Sequence, residues 1–193
     1  KAIELAEKEY KGLVIGNDGP NFSAGANLAM VFMMAMEQEY DEIDMAIRMF
    51  QQMNMRVRYS SIPVVVAPFG LTLGGGCEMT LHADKVQAHA ELYTGLVEFG
   101  VGLIPGGGGT KEFALRFADG TRDGDIETNT LREKFLTIGQ AKVSTSAAEA
   151  FDMGILKQGR DEISLNRSRL IADAKRSAIE MADAGYTQPI QRK

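Results

Sequence analysis

The chain has one cysteine and two histidines in 193 residues. A single thiol, Cys77, excludes an internal disulfide framework. His82 and His89 are too few, and lack the spacing, for a metal cluster; both read as surface or satisfied core residues. Positive charge is not in excess. Lys and Arg number 21 against 26 Asp and Glu, a net charge of -5, which gives nucleic-acid binding no electrostatic support. The longest apolar runs are broken by Gly, Pro or charge, and none approaches a membrane span. No cleavable leader pattern opens the chain, and these absences together point to the cytoplasm. Internal repeats and low-complexity tracts are also lacking. So is a Gly-x-Gly-x-x-Gly fingerprint with a downstream acidic partner, or a Lys-Ser/Thr pair after a glycine run.

What is present is the composition of an ordinary globular domain. Hydrophobic residues make up 45% and charged residues 24%, enough for one domain with a substantial core. Residues 1–10 have helical spacing, and 12–16 read as a short buried strand. Residues 17–23 form a polar loop. From 28 to 59 helical spacing dominates. Ile43, Ala46, Ile47, Phe50, Met53 and Val57 fall on one apolar face, and the polar cluster 37–42 divides the stretch into two helices. Four of the eleven methionines fall within residues 30–36; they read as helical core packing, with an adaptable apolar pocket as the alternative. The β-branched run 63–69 is a buried strand, and a helix follows over 75–81. Residues 85–90 alternate like a half-buried strand. Glycines 106–109 precede a helix over 111–117, and 119–125 are a polar loop. Helices follow near 131–138, 146–153 and 166–184. The last of these carries a thin apolar stripe of Ile171, Ala174, Ala178, Met181 and Ala182. Strands alternating with helices give an α/β class.

The chemistry-bearing stretch is Gly70-Leu71-Thr72-Leu73-Gly74-Gly75-Gly76-Cys77-Glu78. Three glycines after an apolar strand open a helix, and bare N–H groups at a helix N-terminus can bind an oxyanion. Glu78 puts a carboxyl group on the first turn, beside that hole. Glu98, in Gly95-Leu96-Val97-Glu98-Phe99-Gly100, lies between apolar residues, where burial raises a carboxyl pKa. Two carboxyl groups and an oxyanion hole suit the addition of water to a carbonyl-activated carbon, or its removal. Blander readings stand beside these. The glycine triplet can be a packing turn, Glu78 a compensating charge at a helix start, and Glu98 a surface residue on a loop. Cys77 reads as a packed thiol. Ser60, Ser61, Ser144, Thr145 and Ser146 read as helix-boundary residues. Glycines 106–109 read as helix-start packing.

Three segments in order resemble the enoyl-CoA hydratase/isomerase (crotonase) superfamily: Asn21-Phe22-Ser23-Ala24-Gly25-Ala26-Asn27-Leu28, residues 63–84, and residues 95–110 with Ile104-Pro105-Gly106-Gly107-Gly108-Gly109-Thr110. A weaker match over 146–156 is similar to the family's late helix. The resemblance covers roughly residues 11–157, and its wording is most similar to hydratase domains of bacterial proteins fused to a 3-hydroxyacyl-CoA dehydrogenase. It implies a spiral of ββα units over 11–157 and a helical C-terminal segment over 158–193. It implies hydration of a trans-2-enoyl-CoA to a 3-hydroxyacyl-CoA in fatty-acid β-oxidation. The implied oxyanion donors are the N–H groups of Ala26 and Gly75. The implied catalytic pair is Glu78 and Glu98, with the roles of base and acid open. Ala24, Asn27, Leu28 and Gly74 fall at implied substrate-binding positions. Asn27 stands where the family more often has Asp, which removes a charge near the expected CoA site.

The resemblance implies no metal and no redox cofactor, because the thioester is the electron sink; NAD enters only through a dehydrogenase region elsewhere. The implied partner is an acyl-CoA thioester, and the family usually forms trimers through its C-terminal helices, so self-association is expected. The family usually has strands before the first helix, and this chain begins at Lys1 without Met. The expectation is a longer polypeptide continuing upstream through those strands and a nicotinamide-dependent dehydrogenase region. Two other functions remain open: double-bond isomerisation, against which retention of both glutamates argues, and a non-catalytic acyl-CoA-binding or assembly module.

Overall fold

The structure, a computed structural model, describes residues 1–191. The chain opens with α1 (Ala2–Glu9) and β1 (Leu13–Ile15), then α2 (Leu28–Met36) and α3 (Tyr40–Arg58). Next come β2 (Val64–Val66), β3 (Gly70–Leu73) and α4 (Gly75–His82), then β4 (Lys85–His89), β5 (Leu92–Gly95) and a 3-10 turn over Glu98–Val101. Helices α5 (Gly109–Gly120), α6 (Glu127–Gly139) and α7 (Ala147–Asp152) follow. Strand β6 (Glu162–Ser164), a second 3-10 turn over Arg167–Arg169 and α8 (Leu170–Asp183) complete the fold.

All strand pairs are parallel. One sheet has the order β1-β2-β4-β6, and a second pairs β3 with β5. Val66 lies opposite Val86 in the first sheet, and Thr72 opposite Thr94 in the second. From β2 onward consecutive strands go to different sheets, and a helix follows each of two such pairs: β2-β3-α4, then β4-β5-α5. This is the repeating ββα unit expected of the fold.

The valines of β2 are wholly buried, as a parallel strand covered on both faces requires. Val65 joins Ala67, Phe69, Leu170, Ala174 and Ala178 on the α8 side. Val66 joins Leu81, Val86, Leu92, Phe113 and Ile155 on the other. The two clusters lie on opposite faces of the sheet because side chains alternate along a strand.

Several expectations change. Strand β1 is half-buried rather than buried, because it is the edge of its sheet. Residues 85–90 do not form a half-buried strand. The middle of β4 is buried, and its polar Gln87 is satisfied by Ser164 Oγ (3.0 Å) and Ser177 Oγ (3.2 Å). Segment 158–193 is not purely helical, because β6 pairs with β4. The helix after residue 109 runs on to Gly120, into the stretch read as a loop. The 28–59 stretch does divide, at Gln38 with φ 60.

Helix α2 overturns the core-packing reading of its methionines. None of its residues is buried, and Phe32 and Met36 are 65% and 69% exposed. It packs against α3, with Val31, Met34 and Ala35 only half-covered. The apolar face of α3 is buried only toward its C-terminal end, at Val57. The stripe on α8 is buried at two of its five residues: Ala174 and Ala178 pack on the sheet and are not free to contact another subunit, while Ile171 is 38% exposed.

Candidate active site

Backbone pairing brings the first glycine-containing loop to the second. Ser23 bridges to Thr72, with Ser23 N–H donating to Leu71 O (2.9 Å) and Leu73 N–H to Ser23 O (2.8 Å). Asn21 Oδ1 accepts from Leu71 N–H at 2.9 Å. Gly76 nests on Ser23, whose side chain a Cβ at 76 would strike. The chain then turns at Gly25, φ 96, and brings Ala26 into the cavity that Gly75 lines. That cavity holds about 440 Å³ and is lined also by Phe22, Ser23, Phe50 and Met79. Gly75 is the first residue of α4, where no helix carbonyl can accept its N–H.

Gly74 makes the turn possible. Its φ of 53 and ψ of -117 suit glycine, and its N–H donates to Gly95 O at 3.0 Å. Asn27 caps α2, its Oδ1 accepting from Met30 N–H at 3.2 Å, a role any N-cap acceptor fills. Ala24 is exposed and Leu28 is 45% exposed; neither lines the cavity, nor does Asn27.

Neither glutamate is part of the lining of this cavity. Glu78 is 2% exposed. Its Oε1 accepts two N–H groups, from Gly107 at 2.8 Å and Gly109 at 2.9 Å. Burial pushes its pKa up, and these two donors oppose the rise. Glu98 opens the 3-10 turn that follows β5, half-buried rather than on the surface. Burial lifts its pKa to about 7; backbone N–H groups of Glu98 and Val97 oppose the rise, and the charge of Glu78 adds to it. Its Oε1 lies 3.1 Å from where a Cβ on Gly74 would be, and its Oε2 is buried without a partner. The glycine triplet therefore has Glu98 against its first member and Glu78 one turn into its helix.

Beneath Glu78 is a buried polar layer. His82 is fully buried, its Nδ1 2.7 Å from Glu78 O and its Nε2 3.6 Å from Glu112 Oε1. Burial lowers the His82 pKa. Burial works to raise that of Glu112, but the Lys111 hydrogen bond and the Arg58 charge hold it down. Cys77 is buried with its pKa pushed up to about 12, which makes it a poor nucleophile. Among the serines read as boundary residues, Ser146 caps α7. Ser144 instead pins β5, accepting from Thr94 N–H and donating to Leu92 O.

Sequence reasoning missed three features. Glycines 106–109 do start a helix, but two of them also donate to Glu78. Phe50, read only as part of an apolar face, has its ring against both Gly75 and Gly107, at the edge of the cavity. Gln51 and Asn54, on the same helix, carry the side chains that bind this glycine loop. The signal for all three is a glycine run longer than a helix start needs, which implies close approach from outside. A larger open cavity of about 630 Å³ lies alongside, lined by Asn17, Asp18, Arg167 and Ile171 among others. It includes neither glutamate nor the glycine triplet.

The alternating ββα units, with a glycine-rich turn leading into a buried glutamate, define a protein of the crotonase fold. The chain belongs to the enoyl-CoA hydratase/isomerase family, whose model matches residues 1–119. It is 50% identical over 193 residues to a protein named "Probable 3-hydroxyacyl-CoA dehydrogenase" from Bacillus subtilis (strain 168), covering 100% of this chain and 24% of that protein. It is 37% identical over 151 residues to a protein from Rickettsia felis named for a fatty acid oxidation complex trifunctional enzyme, covering 78% and 20%. The chain thus spans a quarter or less of these relatives. Among solved structures it is similar to an enoyl-CoA hydratase from Polaromonas sp. JS666, with TM-score 0.74 at 22% identity over 94% of this chain and 64% of that one. It is also similar to one from Bacillus anthracis, with TM-score 0.68 at 24% identity over 95% and 62%. At those identities the likeness is one of fold.

Proposed function

We propose that this domain adds water across the 2,3 double bond of a trans-2-enoyl-CoA. The observation that carries the reading is a pair of carboxyl groups in unlike environments, Glu78 buried and Glu98 half-buried, beside the N-terminus of α4. Glu78 takes two N–H donors on one oxygen, an arrangement that favours its ionised form. Glu98 has an unpartnered oxygen and a pKa of about 7, so near neutral pH it exchanges readily between its protonated and ionised forms. In the proposed reaction Glu78 removes a proton from water as its oxygen bonds to C3. Electron density moves onto the thioester oxygen, which the N–H groups of Ala26 and Gly75 stabilise. Glu98 then gives its proton to C2. Water is added in sum, and one proton passes from Glu78 to Glu98 to reset the pair.

The thioester accepts the developing charge, so the reaction calls for no metal and no redox cofactor. Ala24, Asn27, Leu28 and Gly74 would shape the approach to the hole, Asn27 and Gly74 by holding backbone and Leu28 by apolar contact. Isomerisation of a 3-enoyl-CoA needs only one carboxyl group to move a proton, and the second glutamate favours hydration over it. In the names of the curated relatives a dehydrogenase and a fatty acid oxidation complex recur, which supports work beside a 3-hydroxyacyl-CoA dehydrogenase in cytoplasmic β-oxidation. The test is turnover of crotonyl-CoA in oxygen-18 water. Hydration puts the label at C3 of the product and removes the enoyl absorbance. Conversion of 3-enoyl substrates alone would replace hydration with isomerisation.

A further inference from the structure

The peptide groups that hold Glu78 are themselves held from α3. Gln51 Nε2 donates to Gly106 O at 2.8 Å. That carbonyl belongs to the same peptide unit as the Gly107 N–H, which donates to Glu78 Oε1. Asn54 Nδ2 donates to the next carbonyl, Gly107 O, at 2.9 Å. Gln51 and Asn54 are three residues apart on one helix and so share a face. Asn54 is fully buried, with its Oδ1 unpartnered, a costly arrangement that packing alone does not call for. The glycine loop has no room to settle elsewhere: a Cβ at Gly107 would strike both Glu78 Oε2 and the Phe50 ring, and one at Gly109 would crowd Leu96.

We propose that Gln51 and Asn54 are positioning residues that hold the Gly106–Gly107 and Gly107–Gly108 peptides in place, so that the loop N–H groups keep Glu78 Oε1 occupied and leave Oε2 free. This rests on the reading of Glu78 as the base. A donor on a peptide carbonyl strengthens the N–H of the same unit, because hydrogen bonds in a chain polarise one another. Removing Gln51 weakens the Gly107 bond directly, and removing Asn54 loosens the loop that carries the Gly107 and Gly109 N–H groups; with these donors weakened, burial raises the Glu78 pKa further. One other charged group bears on the same carboxyl group, Glu98 from the 3-10 turn. Glu112 and Lys111 of α5 and Arg58 of α3 surround His82, which meets the backbone carbonyl of Glu78. None of these is removed by the substitutions.

The experiment uses Asn54→Leu and Gln51→Leu in the full chain. Gln51 is exposed, so its variant remains informative if the buried Asn54→Leu fails to fold. Two readouts are taken. Carbon-13 glutamate NMR, with Glu78→Gln to assign the signal, follows the titration of Glu78 without reference to turnover. Steady-state kinetics on crotonyl-CoA give kcat and KM. The expected result is a Glu78 titration midpoint raised by about half a pH unit or more. With it, kcat falls about tenfold with KM within about twofold, and the acid limb of the rate profile moves to higher pH. Gln51→Asn, which keeps a donor, recovers part of the loss. An unmoved Glu78 titration in the folded variants overturns the proposal. Absence of turnover in the unmodified chain counts against the hydratase reading instead, and leaves the NMR measurement to decide on Gln51 and Asn54.

Discussion

Each of the two glutamates is bound to a distinct environment, and substitution separates their effects. Glu78→Gln and Glu98→Gln should each lower kcat by about 10²-fold or more, the loss typical of a removed acid or base, while acyl-CoA binding measured by calorimetry persists on the backbone donors. Wild-type turnover in both variants would dismiss the proposed roles. Glu98 also makes stability depend on pH. Its folded pKa of about 7 lies above the ordinary 4.5, so the folded state holds the proton more tightly. That contribution is fully present below about pH 4.5 and is lost as pH rises through about 7. Glu98→Gln cannot ionise, so its Tm relative to the parent should be higher at pH 8 than at pH 5. An equal difference at both pH values would mean that Glu98 titrates normally. Cys77 should resist iodoacetamide in the folded protein and react only after unfolding, as burial and a pKa near 12 require.

At the scale of elements, the start of α4 and the start of α5 meet, and glycine is what lets them. A Cβ on Gly75 would come within 3.0 Å of the Phe50 ring, and proline there would remove the N–H itself. Gly75→Val or Gly75→Pro should therefore lower turnover far more than Gly120→Ala. Gly120 is the last residue of α5, with open space where its Cβ would go. Its replacement by alanine should leave kinetics unchanged and add stability of about 0.4–1 kcal/mol, as Gly-to-Ala changes do at compatible sites. Gly107→Ala is the complementary case. The added methyl group runs into Glu78 Oε2 and the Phe50 ring, so kcat and Tm should both fall. Full activity in a folded Gly75→Pro protein would remove Gly75 from the oxyanion hole.

For the whole molecule, the exposed apolar surface is concentrated on α2 and the adjoining part of α3. Phe32, Met33, Met36, Tyr40 and Met49 are each at least 60% exposed, and contiguous apolar surface of this kind marks interaction sites. Self-association, expected from the family resemblance, is therefore predicted at this face rather than at Ala174 and Ala178 of α8, which the sheet covers. Light scattering at micromolar concentration should give a mass above 21.0 kDa, and Phe32→Glu should reduce it. A monomeric mass for the unmodified chain across that range would end the expectation.

The sequence by itself determined the α/β class, both glycine turns, the pair of glutamates and the order of the helices. Each of these depends on local chemistry: β-branched runs, glycine before a helix, and apolar spacing. Ser146 was likewise legible as a residue at a helix start, whereas the capping role of Asn27 was not read. The three short strands β3, β5 and β6 were not, because a three- or four-residue strand exists only through its partner. Nor was the exposure of α2, since a fully apolar nine-residue helix reads the same whether covered or not. Tertiary structure alone decided that glycines 106–109 donate to Glu78, and that Gln51 and Asn54 hold them. Those bonds join positions dozens of residues apart, and their geometry depends on how α3, α4 and α5 pack, which no local pattern encodes.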